Sequence, residues 1–182
     1  MYKYEKIVIC DLDGTLVDDS VALKKASKEI IGKELDKQEI RKLNKSLKGK
    51  IYDLAQRKMN YFIPKKRIIN LVNKLKSEGF FVLILTARLN KVKKETEELL
   101  KKIGVNYDLL IMRNSEELKI DDEIWKKEKA KGFFGKENVY LEDKIENILF
   151  LMESFKENRK NKEKGLFYLI IEDFPFFYEF RD

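Results

Sequence analysis

The sequence runs to 182 residues and contains no histidine. That absence removes Ser-His-Asp catalysis, histidine zinc sites and imidazole general bases together. Any acid–base work falls to carboxylates or lysines. A single cysteine, Cys10, excludes an intrachain disulfide and fits a reducing compartment. Its place inside an apolar run marks it as core packing. No apolar run approaches the ~20 residues of a membrane span, and no signal peptide is visible. The expectation is a cytoplasmic protein without membrane contact. No internal repeat or low-complexity linker interrupts the chain, and nothing in the sequence fixes an oligomeric state.

What is present is charge. Charged residues make up 39% of the chain against 43% hydrophobic, with a formal net charge of +7. The apolar share is enough for a core, and the length suits one domain with a modest insertion. A basic balance favours an anionic partner, a nucleic acid among them. The positive charges are mostly lysines spread along helices, and a solvated face is the better reading of them.

The chain is organised around Lys6 to Asp18. Ile7-Val8-Ile9-Cys10 reads as a strand buried on both faces. It stops at two carboxylates, Asp11 and Asp13, followed by Gly14, which permits a sharp turn. Two acids at the end of a buried strand repel each other and are costly to desolvate unless something positive lies between them. A metal ion supplies that charge, and in open α/β sheets this edge is where ligands bind.

Asp11-Leu12-Asp13-Gly14-Thr15-Leu16 resembles the signature loop of the haloacid dehalogenase (HAD) superfamily, most of whose members are phosphatases. The resemblance implies a Rossmann-like α/β fold, a parallel sheet with helices on both faces. It also implies a small helical cap inserted after the first strand. The core is then expected at residues 1–18 and 63–182, with the insertion at 19–62.

Inside the insertion, helical patterning runs from Val21 to Ile31 and stops at Gly32. A second helix is expected over Lys37 to Leu47, ended by Gly49, and a third over Ile51 to Met59. Leu43, Leu47, Ile51, Tyr52 and Leu54 read as its packing face. Tyr61 to Pro64 reads as a turn, with Pro64 in the first turn of the next helix. That helix ends at Gly79. Phe80 to Leu85 is a second buried strand, so strand, helix and strand imply a parallel sheet.

Thr86 closes this strand. Its hydroxyl suits a phosphoryl oxygen, and a helix cap is the alternative; the resemblance assigns it the superfamily's second motif. The Arg88 fork suits phosphate and would equally pair with a carboxylate. Lys91 to Ile103 is amphipathic and ends at Gly104. Tyr107 to Met112 is a third strand leading into Arg113. Asp121-Asp122 starts a helix on which Ile124 and Trp125 face inward.

The resemblance requires a lysine in a third motif, and Lys126, Lys127, Lys129 and Lys131 crowd the position. Asp122-x-x-Trp125-Lys126 is similar to an arrangement in polynucleotide kinase phosphatase domains, which favours Lys126, with Lys127 second. Asn138 to Leu141 is a short fourth strand ending at Glu142-Asp143. By the same resemblance Asp143 is a metal ligand and Glu142 stands behind it. A helix is expected to Asn158, then a Lys/Asn-rich turn closing at Gly165 and a fifth strand, Leu166 to Ile171. The aromatic tail, Glu172 to Asp182, is expected to pack on the sheet edge or meet a partner.

The resemblance implies a phosphomonoester hydrolase dependent on Mg²⁺ held by Asp11, the Asp13 carbonyl and Asp143. Asp11 is the expected nucleophile, giving an aspartyl-phosphate, and Asp13 the proton donor. Thr86 and Lys126 would stabilise charge, with Arg88, Lys127 and Arg113 expected to bind substrate. A nucleotide or small phosphorylated metabolite is the expected substrate. Nucleic-acid 3′-end phosphatase activity stays open, since Thr86-Ala87-Arg88 and Ile111-Met112-Arg113 resemble that type too. So does a binding protein that retains the fold without turnover.

Overall fold

Strand β1 (Tyr4–Cys10) shows almost nothing to solvent from Ile7 to Cys10. Ile7 and Ile9 project to one face of the sheet, and Val8 and Cys10 to the other. Helices cover both faces, which is why the strand is a continuous apolar run and not an alternating one. The computed structural model describes residues 4–158, 164–171 and 174–180.

In chain order there follow β2 (Val17–Asp18), α1 (Ser20–Ile31), α2 (Lys37–Arg41), α3 (Lys45–Arg57) and β3 (Ile63–Pro64). Then come α4 (Lys66–Ser77), β4 (Phe81–Leu89), α5 (Lys93–Ile103), β5 (Leu109–Arg113) and α6 (Asp122–Ala130). Last are β6 (Gly135–Glu142), α7 (Ile145–Asn158), β7 (Lys164–Ile171) and β8 (Phe174–Phe180).

The main sheet has the order β5-β4-β1-β6-β7-β8. All neighbours are parallel except β8, which runs antiparallel to β7. Ile68 and Val72 of α4 and Leu99 of α5 pack on one face. Trp125 of α6 and Leu151 and Phe155 of α7 pack on the other. The chain leaves β1 for β4 and β5, then crosses back to β6. The point where the strand order reverses therefore lies between β1 and β6, where α/β sheets open a crevice at their carboxyl ends. The expected Rossmann-like architecture is present.

Residues 19–62 leave and re-enter the core side by side. β2 pairs with β3, and the Lys65 amide donates to the Leu16 carbonyl at 2.9 Å. Four local expectations need correction. Gly49 does not end a helix: the break falls at residues 42–44, where the Asn44 side chain caps α3 by accepting from the Leu47 amide. Packing of Ile51 and Ala55 carries the helix through the glycine. Pro64 sits in β3 and not in α4, since pairing with Val17 holds it extended. The third strand begins at Leu109, because Asp108 turns to bond the Val82 amide. Ile124 is 45% exposed, so Trp125, with Ala130 further along, anchors α6 in the core. The Lys/Asn-rich turn at residues 159–163 lies outside the described residues, as do 172–173 and 181–182 of the tail; Phe174–Phe180 forms the sheet's outer strand.

Candidate active site at the strand ends

The Asp11 amide donates to the Leu141 carbonyl at 2.9 Å, so the loop after β1 starts in line with β6. The loop then folds on itself. The amides of Leu16 and Val17 both donate to the Leu12 carbonyl, and that of Gly14 donates to Val17. Gly14 has φ +94°, and a Cβ there would lie 2.1 Å from Asp143 Oδ2. Glycine is required twice, for the backbone angle and for the approach of the second acidic loop.

Lys126 rises from α6 beneath these loops. Its ammonium donates to Asp11 Oδ1 at 2.8 Å and to Glu142 Oε2 at 2.5 Å, with all three side chains buried. Burial opposes its charge, but Asp11 and Glu142 more than offset that and raise its pKa. Burial, and then Asp11, push Glu142 up to about 8. Asp11 is also raised, chiefly by burial, with Lys126 opposing. The Lys127 ammonium instead pairs with Glu153 and Glu157 on α7. Successive helix positions point about 100° apart, so only one of the two lysines reaches the acids. The structure does not bring Lys127 to the site.

Asp11, Glu142 and Asp143 each offer an oxygen, all within 4.8 Å of one another. Asp143 Oδ1 is buried without a hydrogen-bond partner. An all-oxygen set with one unpartnered acceptor fits a hard divalent cation. Glu142 belongs to this set as well as to Lys126, closer than the sequence resemblance places it. The Asp13 carboxylate turns elsewhere: Arg88 holds it by both oxygens, Nε at 2.8 Å and Nη2 at 2.6 Å. Burial would raise Asp13, but the Arg88 guanidinium overcomes it and the pKa falls. Arg88 is itself buried, with the Phe62 ring 4.6 Å away.

Thr86 is buried where β4 opens, and its oxygen accepts from the Arg88 amide at 3.3 Å. Arg113 lines the same cavity, but its donors bind Asp122 and the carbonyls of Glu117 and Ile120. It shapes the segment between β5 and α6. Sequence reasoning missed Lys37. This first residue of α2 places its ammonium 3.1 Å from Asp19 and 3.7 Å from Asp143. Burial, then Asp13, push Asp19 up to about 6. Nothing local in the sequence ties Lys37 to acids so distant along the chain.

Core and insertion together enclose a cavity of about 820 Å³ lined by Asp11, Asp13, Thr86, Arg88 and Lys126 on the core side. No helix among the described residues is long and apolar enough to cross a membrane.

No protein-family model matches the chain, and a search among curated proteins finds no match. Solved structures do match. A HAD hydrolase, family IA, variant 3, from Entamoeba histolytica superposes with a TM-score of 0.56 at 16% identity, over 82% of this chain and 80% of that one. A phosphoserine phosphatase gives 0.52 at 15% identity, over 82% of each. A chain of the Pnkp1/Rnl/Hen1 RNA repair complex gives 0.53 at 23% identity, over 81% of this chain. This chain spans only 39% of that one's length. Fold and site thus define a doubly wound α/β protein with an acidic strand-end centre. It shares its fold with that HAD hydrolase and that phosphoserine phosphatase.

Proposed function

We propose that the chain is a HAD-type phosphomonoester hydrolase, with residues 19–62 acting as a cap over a core of 1–18 and 63–182. One observation carries the reading. Asp11, Thr86 and Lys126 come from separate segments and line one cavity, and Glu142 and Asp143 each bring an oxygen within 4.8 Å of Asp11. Structural ion pairs do not need a hydroxyl and an unpartnered carboxylate oxygen beside them.

Asp11 is the nucleophile. Its carboxylate oxygen forms a bond to phosphorus as the ester P–O bond breaks, leaving an aspartyl-phosphate. Lys126 holds Asp11 in place and, with the Thr86 hydroxyl, offsets charge on the phosphoryl oxygens. Asp13 gives its proton to the leaving oxygen and then takes one from the attacking water. In the free protein Arg88 keeps Asp13 ionised. An entering phosphoryl group competes for the Arg88 fork, and releasing Arg88 lets Asp13 carry the proton. Asp11 and Asp143, with the Asp13 carbonyl, are the residues we assign to Mg²⁺, and Glu142 adds a further oxygen. The bound ion supplies positive charge between nucleophile and substrate. The substrate is a phosphomonoester of a nucleotide, a small metabolite or a nucleic-acid end, and the single buried cysteine suits a reducing, cytoplasmic setting.

The test is hydrolysis of p-nitrophenyl phosphate with and without Mg²⁺, for wild type and Asp11→Asn, followed by nucleotides, phosphorylated oligonucleotides and sugar phosphates. Metal-dependent release that the substitution abolishes is expected. An inert panel with Mg²⁺ still bound would leave a binding protein.

A further inference from the structure

Ten lysines and arginines line the cavity. Six of them sit within ion-pair distance of a carboxylate. The other four, Arg41, Lys45, Lys48 and Lys50, have no carboxylate partner among the described residues. All four lie on α2 and α3. Acids neutralise all five core-side cations and Lys37 of the insertion, while these four on the insertion face the cavity without a carboxylate partner. The insertion carries twelve Lys and Arg against six Asp and Glu, so residues 19–62 hold +6 of the chain's +7.

The arrangement has a direction. Lys45, Lys48, Tyr52 and Gln56 recur at helical spacing along one stripe of α3, and all line the cavity. At 1.5 Å per residue the stripe is about 16 Å long, more than one phosphoryl group can use. Gly49 lies on the same stripe inside the helix, where glycine weakens a helix. A Cβ there would meet nothing within 4 Å, so no contact inside the protein demands it. It leaves the helix backbone open to a ligand.

Four unpaired cations beside a site built for one phosphate attract further phosphate. We propose that the α2–α3 face is a second phosphate subsite, and that the substrate is a single-stranded nucleic-acid end bearing a terminal phosphate. Backbone phosphates lie along the lysine stripe while the terminal one reaches Asp11. This rests on the hydrolase reading for the reaction but not for the binding.

The experiment compares hexathymidylate bearing a 3′- or 5′-phosphate, thymidine 3′,5′-bisphosphate, thymidine monophosphate and p-nitrophenyl phosphate. Each is assayed with wild type and with the variant Arg41→Gln, Lys45→Gln, Lys48→Gln, Lys50→Gln across a salt series. The expected result is kcat/KM for a phosphorylated hexamer about tenfold or more above that for the mononucleotide at low salt. In the variant that ratio falls about tenfold through KM, and the salt slope becomes shallower by about 2 to 3. A bisphosphate that matches the hexamer overturns the strand and leaves a subsite for one further phosphate; a preference for the hexamer supports it. Equal rates on hexamer and mononucleotide, or a ratio unmoved by the variant, overturn the proposal. If no ester is cleaved, the hydrolase reading fails, and fluorescence anisotropy of the labelled hexamer decides the subsite alone. Affinity about tenfold weaker in the variant supports it, and equal affinity overturns it. Should the four-site variant not fold, Lys45→Gln with Lys48→Gln replaces it.

Discussion

Between Gly14 and Asp143 there is no room for a methyl group. Gly14→Ala must shift the Asp143 carboxylate and strain a backbone angle of +94°. We expect it to cost more than about 1 kcal/mol in thermal denaturation and to abolish Mg²⁺-dependent turnover. A variant of full stability and activity would disprove the contact. Lys126→Met makes the opposite error, leaving Asp11 and Glu142 buried without their shared cation. Breaking a buried pair costs about 3–5 kcal/mol, measurable by urea denaturation, and a loss under 1 would show the acids to be solvated. Asp11, Gly14 and the Glu142–Asp143 pair were legible in the sequence because each follows an apolar run that ends abruptly. Lys126 was favoured over Lys127 through the resemblance alone. Adjacent lysines differ only in helical phase, and the structure turns Lys126 to Asp11 and Lys127 to Glu153 and Glu157.

At the scale of elements, the sequence misled most where a residue's usual role was overridden by packing. Gly49 reads as a stop, yet α3 runs through it because Asn44 starts the helix and Ile51 and Ala55 bury its inner face. Removing the cap tests this account. Asn44→Ala is expected to cost about 1 kcal/mol in a thermal melt, and no loss would mean the helix starts without it. The turn before α6 offers a pH test. A hydrogen bond from the Lys129 ammonium, 2.6 Å away, together with one from the Asn114 amide, holds Glu117 down to about 2. A depressed acid adds stability above its unfolded value, near 4.5, and loses it as pH falls toward 2. Glu117→Gln should therefore be less stable than wild type at pH 7, with the gap closing between about pH 4.5 and 2. A gap independent of pH would assign the effect to the cap geometry and not to charge.

At the scale of the molecule, the order of strand ends was legible and their lateral arrangement was not. Alternating apolar runs and helices imply a parallel sheet, but nothing in them says that β1 lies between β4 and β6. That placement lets one ion touch residues from both sides of the strand-order reversal. Asp11 follows β1 and Asp143 follows β6, far apart in sequence and within reach of a shared ligand only after the sheet has formed. A ligand that binds only the folded sheet stabilises it by mass action, by about 2.7 kcal/mol at a hundred times its dissociation constant. Mg²⁺ should therefore raise the melting temperature of the whole chain in a saturable way. Asp143→Asn should remove most of that rise while leaving the metal-free melt near that of wild type or above it, because the lost charge is one of several crowded acids. An equal Mg²⁺ response in both proteins would place the ion elsewhere, and a cooperative melt that splits in two on adding metal would mean that the β1 and β6 ends are not clamped together.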